Sequence, residues 1–214
     1  MSNGNSCPYC QEFEDGFLRV KDENLGRRIL LETPNFVVFP TLGCFIEGYL
    51  LIASKFHYIG IGQIPSNLHQ ELEEVQQKVS NVLLENYGIA PVFFEHGPAS
   101  CGNKGGGCIV HAHLHALPVE VDLLQDISSL FECQPVTGFG AMQQLYAEGT
   151  PYLFWQNADG KRFVFKLSRT DFLPSQFIRR IIAEKLGLPE RWDWRSYLGL
   201  TELQNTIQTL KGFT

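Results

Sequence analysis

The sequence has no hydrophobic run long enough to cross a membrane and no excess of positive charge. No apolar stretch among its 214 residues reaches the roughly 18 residues that a membrane span needs. The formal net charge is −6, which argues against a general nucleic-acid-binding protein, because such proteins neutralise phosphates with Lys and Arg. A local basic pocket for one nucleotide remains compatible with this charge. We therefore expect neither membrane insertion nor general binding of nucleic acids.

The first six residues also lack the charged-then-apolar pattern of a signal peptide. We therefore expect a cytoplasmic protein, whose six cysteines are thiols or metal ligands rather than disulfides. An apolar content of 44% is that of an ordinary globular protein, and 214 residues suit one domain with an extension.

Three of the six histidines stand at alternate positions between Val110 and Pro118. In a strand, alternate side chains share one face and lie about 6.6 Å apart along it. A half-buried strand with a histidine face is one interpretation, but solvent-facing strands usually carry mixed Lys, Glu and Thr. The pattern instead predicts metal binding, phosphate chemistry, or both. The residues concerned are His111, His113 and His115.

Cys7 and Cys10 form the one C-x-x-C motif of the chain. This spacing lets two thiolates bind the same tetrahedral ion. A redox pair is the alternative, but that motif normally follows a strand, and only a polar segment precedes Cys7. We favour zinc, with histidines or isolated cysteines as the remaining ligands, and we expect no organic cofactor.

A glycine-rich stretch, residues 97–108, directly precedes the histidine strand. It is not a Walker loop, because it lacks the pattern G-x-x-x-x-G-K-[ST]. Glycines permit backbone dihedrals that point successive N–H groups at an anion, and Lys104 adds a positive charge. A surface loop without a ligand is the alternative. The location of this stretch directly before the histidine strand favours a phosphate site. The residues predicted to form it are Asn103, Lys104, Gly105, Gly106, Gly107 and Cys108.

Apolar runs and turn signals predict the remaining elements. Strands are expected at 28–32, 36–39 and 49–53 as an antiparallel meander, then at 91–95 and 110–118, with a hairpin of 152–155 and 162–167. Helices are expected at 66–88, 122–132, 174–186 and near 201–211. The C-terminal part is predicted to pack on the first domain.

Several of these motifs resemble the histidine triad (HIT) superfamily. The alternating histidines match its signature, and Cys7-Pro8-Tyr9-Cys10 is similar to the C-x-x-C of its zinc-bearing members. Residues 48–57 resemble the family's second-hairpin strand, which ends in Lys-x-His, and Gly97-Pro98 is similar to the fragile-histidine-triad branch. The resemblance covers about residues 7–120. Residues 135–200 resemble the second C-terminal segment of CwfJ-like proteins.

The resemblance implies an α+β fold, a HIT-like antiparallel sheet with packed helices, commonly paired as a homodimer. It implies a catalytic domain over residues 1–120 and leaves residues 121–214 as a C-terminal α/β extension. It implies reaction at the α-phosphate of a nucleotide, with His113 as the nucleophile that forms a covalent nucleotidyl-histidine. His115 would contact the phosphate or the leaving-group oxygen. His57 and His111 would complete a structural zinc site with Cys7 and Cys10.

The chain departs from the family pattern near the nucleotide. Tyr49 stands where members usually have histidine, and Gly107 and Cys108 stand where Gln and Ser or Thr are usual. His96 occupies the place of a nucleotide-side polar residue, or lies on the surface.

Three functions remain open. The first is a hydrolase or transferase acting on a dinucleoside polyphosphate, a phosphoramidate or a similar nucleotide. The second is a phosphorolytic nucleotidyltransferase, and the third is a non-catalytic nucleotide-binding or RNA-processing scaffold. The intact pair His113 and His115 favours an enzyme, because a scaffold does not need the nucleophile.

Overall fold

The structure, a computed structural model, describes residues 7–15, 28–100, 109–168 and 173–213. Within these ranges one antiparallel sheet is covered by helices, which confirms the predicted α+β class. None of the described helices combines the length and the apolar character needed to cross a bilayer. The strands are β1 (Leu31–Glu32), β2 (Phe36–Pro40), β3 (Leu50–Ser54), β4 (Val92–Gly97), β5 (His113–Leu117), β6 (Glu132–Val136), β7 (Tyr152–Gln156) and β8 (Arg162–Lys166). The helices are α1 (Pro8–Asp15), α2 (His69–Tyr87), α3 (Leu124–Ser128), α4 (Gly140–Ala147), α5 (Phe177–Lys185) and α6 (Leu200–Thr209).

The sheet runs in the order β1-β2-β3-β5-β4-β7-β8-β6. The predicted meander of β1 to β3 and the predicted hairpin of β7 and β8 are both confirmed. Strand β4 pairs with β5 on one side and with β7 on the other, so the C-terminal strands extend the same sheet. Among the described strands, β1 and β6 lie at the two ends. A homodimer formed by strand pairing would therefore use one of these two, and both the homodimer and the division at residue 120 stay predictions.

Strand alternation divides the buried core between the two faces of the sheet. One face carries Leu114 and Ala116 of β5 and is covered by the apolar stripes of α2 and α4. The other face is covered by α1, α3, α5 and α6. Since His113 and His115 alternate with Leu114 and Ala116, their rings project toward this second face. The histidines thus lie on the side of the sheet that the C-terminal helices cover.

Some boundaries differ from the sequence-based expectation. Strand β5 begins at His113, so His111 lies just before the strand rather than within it. The helix expected at 122–132 is limited to the short α3, and the chain then enters β6, which was not predicted. Strand β6 contains Pro135 and few apolar residues, and a proline is tolerated there because β6 pairs with β8 alone. Helix α4 was also not predicted.

A buried carboxyl group joins β4 to its surroundings. Glu95 is 3% exposed, and its Oε1 accepts a hydrogen bond from the Ile61 N–H at 2.6 Å. The Tyr152 hydroxyl donates to Oε2 at 2.8 Å. Burial raises the pKa of Glu95 to about 7, and these two hydrogen bonds only partly oppose that shift. Near neutral pH, Glu95 therefore changes charge inside the folded protein.

The titration of Glu95 predicts a pH-dependent stability. Because the folded-state pKa lies above the ordinary value of 4.5, the stabilisation is complete below that value and is lost as the pH rises through about 7. The loss amounts to at most about 3 kcal/mol. We expect the free energy of unfolding of the wild type to fall with pH across this window, relative to Glu95→Gln, in urea denaturation series. The exposed Glu85→Gln is the control and should follow the wild type. Parallel curves for wild type and Glu95→Gln would contradict the prediction.

Candidate functional site

Four predicted metal ligands converge on the face of the sheet that carries the histidines. Cys7 and Cys10 lie at the start of α1, His57 follows β3, and His111 precedes β5. One ligand atom from each of the four lies within 4.8 Å of the others. The sequence separation between the cysteines and His111 exceeds 100 residues, so the fold itself brings them together.

The distances within this cluster suit a tetrahedral ion. Nδ1 of His111 lies 3.4 Å from the Cys7 Sγ and 3.7 Å from the Cys10 Sγ, and Nδ1 of His57 lies 3.4 Å from the Cys10 Sγ. Zinc bonds of about 2.3 Å to sulfur and about 2.0 Å to nitrogen place ligand atoms roughly 3.3–3.8 Å apart. Two sulfur and two imidazole donors are also a typical zinc set. The residues present therefore fit a zinc ion.

His111 is oriented for this role by the backbone of β3. Its Nε2 lies 2.6 Å from the carbonyl oxygen of Ser54, which can only accept a hydrogen bond. Nε2 therefore carries the proton, and Nδ1 presents a lone pair to the cysteines. Burial lowers the pKa of His111 to about 4, while the bond to Ser54 opposes that shift. The ring is thus a neutral imidazole, the form that binds metals.

His113 is oriented in the opposite sense. Its Nδ1 lies 2.6 Å from the carbonyl oxygen of His111, which can only accept a hydrogen bond. Nδ1 therefore carries the proton and donates a hydrogen bond to that oxygen. Nε2 is left with an unshared lone pair. Burial lowers the pKa of His113, and the positive charge of Arg179 lowers it further. The hydrogen bond to the His111 carbonyl acts in the opposite direction. His113 is therefore a neutral imidazole with a free ring nitrogen.

His115 is held between two aromatic residues. Its ring stacks on Phe94 with centroids 4.2 Å apart and planes inclined by 8°. The Tyr49 hydroxyl lies 2.8 Å from the His115 Nδ1. Burial keeps the pKa of His115 well below its ordinary value, and the charges of His113 and Arg179 act in the same direction. Burial also raises the pKa of Tyr49 to about 12, so its phenol is protonated near neutral pH.

A cavity of about 390 Å³ adjoins the two strand histidines. Its wall is built from α1, from the sheet and the residues that flank its strands, and from α5 with the segment that follows it. The polar lining residues are Tyr9, Glu12, Arg28, Thr41, His96, His113, His115, Gln176, Arg179 and Arg195. A cavity of this size accommodates a nucleotide-sized ligand.

His96 belongs to this wall rather than to the outer surface. Its Nε2 accepts a hydrogen bond from the Ile178 N–H of α5 at 3.3 Å, and its ring lies 6.5 Å from that of His115. Burial lowers the pKa of His96 to about 3, with smaller contributions from the charges of His113 and Arg179. Of the two sequence-based interpretations of His96, the structure excludes a plain surface residue.

Arg179 is a site residue that sequence reasoning missed. It is 4% exposed, and its Nη2 donates to the Gly43 carbonyl at 2.7 Å while its Nε donates to the Trp192 carbonyl at 3.1 Å. Its guanidinium carbon lies 5.0 Å from the ring centroid of Tyr49. Gly43 has a φ of +73°, and a Cβ there would lie 2.3 Å from the Trp194 Cβ, 2.7 Å from the Trp194 Cα and 2.8 Å from the Arg179 Nη2. This close approach therefore requires glycine.

The predicted phosphate loop lies outside the described residues. Asn103, Lys104, Gly105, Gly106, Gly107 and Cys108 all fall in that segment. Ile109, which follows the loop directly, lines the cavity.

No family model and no curated protein matches the sequence. Solved structures do resemble the chain. A HIT family protein from Bacillus anthracis is 17% identical, covers 55% of this chain and 76% of its own, and has a TM-score of 0.45. A hypothetical histidine triad nucleotide-binding protein from Sulfolobus tokodaii is 15% identical, with coverages of 67% and 91% and a TM-score of 0.44. A zinc-bound histidine triad family protein from Mycobacterium smegmatis is 17% identical, with coverages of 68% and 94% and a TM-score of 0.43. These three solved structures are histidine triad family proteins, and the third contains bound zinc.

Proposed function

We propose that this protein is a histidine triad enzyme, a nucleotidyl hydrolase or transferase that acts at the α-phosphate of a nucleotide through a covalent intermediate on His113. The observation that carries the proposal is the hydrogen bond from the His113 Nδ1–H to the His111 carbonyl. It leaves the Nε2 lone pair of a neutral ring at the wall of a nucleotide-sized cavity. A neutral imidazole is a competent nucleophile at neutral pH.

The reaction proceeds in two displacements. The His113 Nε2 attacks phosphorus, a P–N bond forms, and the bond to the leaving-group oxygen breaks. An acceptor oxygen then attacks the same phosphorus, and the P–N bond breaks, which returns the electron pair to Nε2. When the acceptor is water, its proton leaves with solvent and the product is a nucleoside monophosphate. Two easier steps thus replace one difficult step.

His115 acts on the leaving group in this scheme. The scheme assigns the Tyr49 hydroxyl, 2.8 Å from the His115 Nδ1, as the donor to that nitrogen, which places the His115 proton on Nε2. The Nε2–H is the donor available to a phosphate oxygen or to the departing oxygen. Because the His113 and His115 ring centroids lie 4.8 Å apart, both rings reach the same phosphate. The loop of residues 103–108 is proposed to hold the remaining phosphate oxygens through its backbone N–H groups.

Cys7, Cys10, His57 and His111 are proposed to hold a structural zinc ion. All four tetrahedral positions would be filled by protein atoms, which distinguishes a structural site from a catalytic one with an open position. The ion would fasten α1 to the end of β3 and the start of β5. Support comes from the sulfur and nitrogen distances and from the hydrogen bond between His111 and Ser54.

The nucleophile is tested with His113→Ala. We expect a loss of turnover of at least about a thousandfold with a nucleotide substrate found by screening phosphoanhydrides, phosphoramidates and nucleotide sugars. The wild type should also yield a nucleotidyl-protein adduct that survives denaturation, measured by mass spectrometry. His69→Gln, a histidine of α2 that does not line the cavity, is the matched control and should retain turnover. Full activity of His113→Ala would overturn the mechanism.

The role of the hydrogen bond between Tyr49 and His115 is tested with Tyr49→Phe. Without the hydroxyl, the proton of His115 is no longer confined to Nε2, so donation to the leaving group weakens. We expect kcat to fall by about ten- to a hundredfold, most for leaving groups of high pKa. Tyr58→Phe, which alters a tyrosine outside the cavity wall, should leave kcat unchanged. An equal loss across leaving groups of widely different pKa would count against this role.

The zinc site is tested by metal analysis of protein purified without chelator. We expect about one equivalent of zinc in the wild type and less than half an equivalent in Cys7→Ser and His57→Ala, both with a lower Tm. Cys133→Ser changes a cysteine of β6 outside the cluster and should retain the metal. Unchanged zinc content and Tm in the two ligand variants would refute the assignment.

A further inference from the structure

We propose that Arg179 forms a second oxyanion site in the same cavity, for a phosphate group other than the one that His113 attacks. The inference rests on the proposed function, because it assigns a further part of the same substrate site. It makes the C-terminal segment, through α5, a contributor to ligand binding.

The charge of Arg179 has no counter-ion among the described residues. The residue is 4% exposed, and its hydrogen-bond partners are all neutral: the backbone carbonyls of Gly43 and Trp192 and the phenol of Tyr49. No described carboxylate lies within ion-pair distance of its guanidinium. Buried charges in proteins are normally paired, because an unpaired charge in the interior is strongly destabilising. An anion bound in the cavity would supply the missing charge.

The other buried arginine of the cavity shows the contrast. Arg28 is also 4% exposed, but its Nη2 lies 3.2 Å from the Glu12 Oε2 and forms an ion pair. Glu12 is the carboxylate in the described lining of the cavity. The charge of Glu12 is therefore already engaged on the α1 side. Arg195, the third arginine of the lining, lies 3.5 Å from the Asp193 Oδ1 and forms an ion pair. Arg179 is thus the arginine of the described lining without a carboxylate partner.

The geometry of Arg179 suits a phosphate. A guanidinium carries five N–H donors in a planar fork; the two backbone carbonyls accept from two of them, and the Tyr49 phenol is a third partner, so donors remain for a ligand. Those two bonds fix the plane of the group before a ligand arrives. The neighbouring Tyr49 is hydrogen-bonded to His115 at 2.8 Å, so one tyrosine contacts both Arg179 and His115. Arg179 and His113 thus line one cavity, and a ligand with two phosphates can contact both.

Two sources can supply this phosphate. One is the second phosphate of a nucleoside diphosphate or polyphosphate substrate, next to the reacting phosphorus. The other is inorganic phosphate as the acceptor of the second displacement. In that case a phosphate oxygen attacks the nucleotidyl-His113 phosphorus, the P–N bond breaks, and a nucleoside diphosphate leaves. Both sources present the same chemistry to Arg179, and their products distinguish them.

The test compares Arg179→Gln with Arg180→Gln in the zinc-loaded full chain. Arg180 is the next residue of α5, stacks on Trp192 at 4.6 Å, and does not line the cavity. We expect Arg179→Gln to weaken the binding of inorganic phosphate and of pyrophosphate by tenfold or more, measured by calorimetry at constant ionic strength. Arg180→Gln should bind both as the wild type does. Equal affinities of Arg179→Gln and the wild type would overturn the proposal.

A second measurement serves if Arg179→Gln does not fold. Both anions should raise the Tm of the wild type and of His113→Ala relative to chloride at the same ionic strength. No shift with either anion would overturn the proposal. Because His113→Ala keeps Arg179, binding by that variant separates this inference from the failure of the catalytic mechanism. Phosphate-dependent release of a nucleoside diphosphate would assign the site to the acceptor, and preferential turnover of diphosphate substrates would assign it to the substrate.

Discussion

The backbone carbonyl of His111 is the acceptor on which the arrangement of the site depends. It accepts a hydrogen bond from the His113 Nδ1–H at 2.6 Å and thereby leaves the lone pair on the other ring nitrogen. The same residue turns its own ring toward Cys7 and Cys10 and anchors it to the Ser54 carbonyl. A metal that fixes the His111 ring would therefore also fix the carbonyl that orients the nucleophile. The proposed structural ion and the proposed chemistry are joined through one residue.

Much of the site follows from local spacing in the sequence. The alternation of His111, His113 and His115 predicts a shared side of the sheet, and Cys7 and Cys10 predict half of a metal cluster. The structure brings the predicted four ligands together, although His111 lies two residues before the start of β5. Spacing does not reveal which ring nitrogen carries the proton, because the deciding acceptors are backbone carbonyls placed by the fold.

The contribution of the C-terminal segment was not predictable in the same way. Arg179 and Arg180 are adjacent in an amphipathic helix, and nothing local distinguishes the buried arginine from the one that stacks on Trp192. Only the packing of α5 on the histidine face of the sheet, with Gly43 beneath the guanidinium, makes the difference. Strand β6 was missed for a related reason, since its place is set by pairing with β8 rather than by its own apolar pattern.

A tyrosine at position 49 is compatible with the buried positive charge of Arg179 beside it. Its ring lies between the Arg179 guanidinium, 5.0 Å away, and the ring of His115, 5.7 Å away. A histidine there would itself be an ionisable group beside a buried positive charge. A phenol whose pKa is raised to about 12 stays neutral and protonated across the physiological range. Tyr49 therefore keeps a neutral hydroxyl hydrogen-bonded to His115 at 2.8 Å, while its π face contacts the charge of Arg179. Tyr49, His115 and the buried arginine are thus parts of one arrangement.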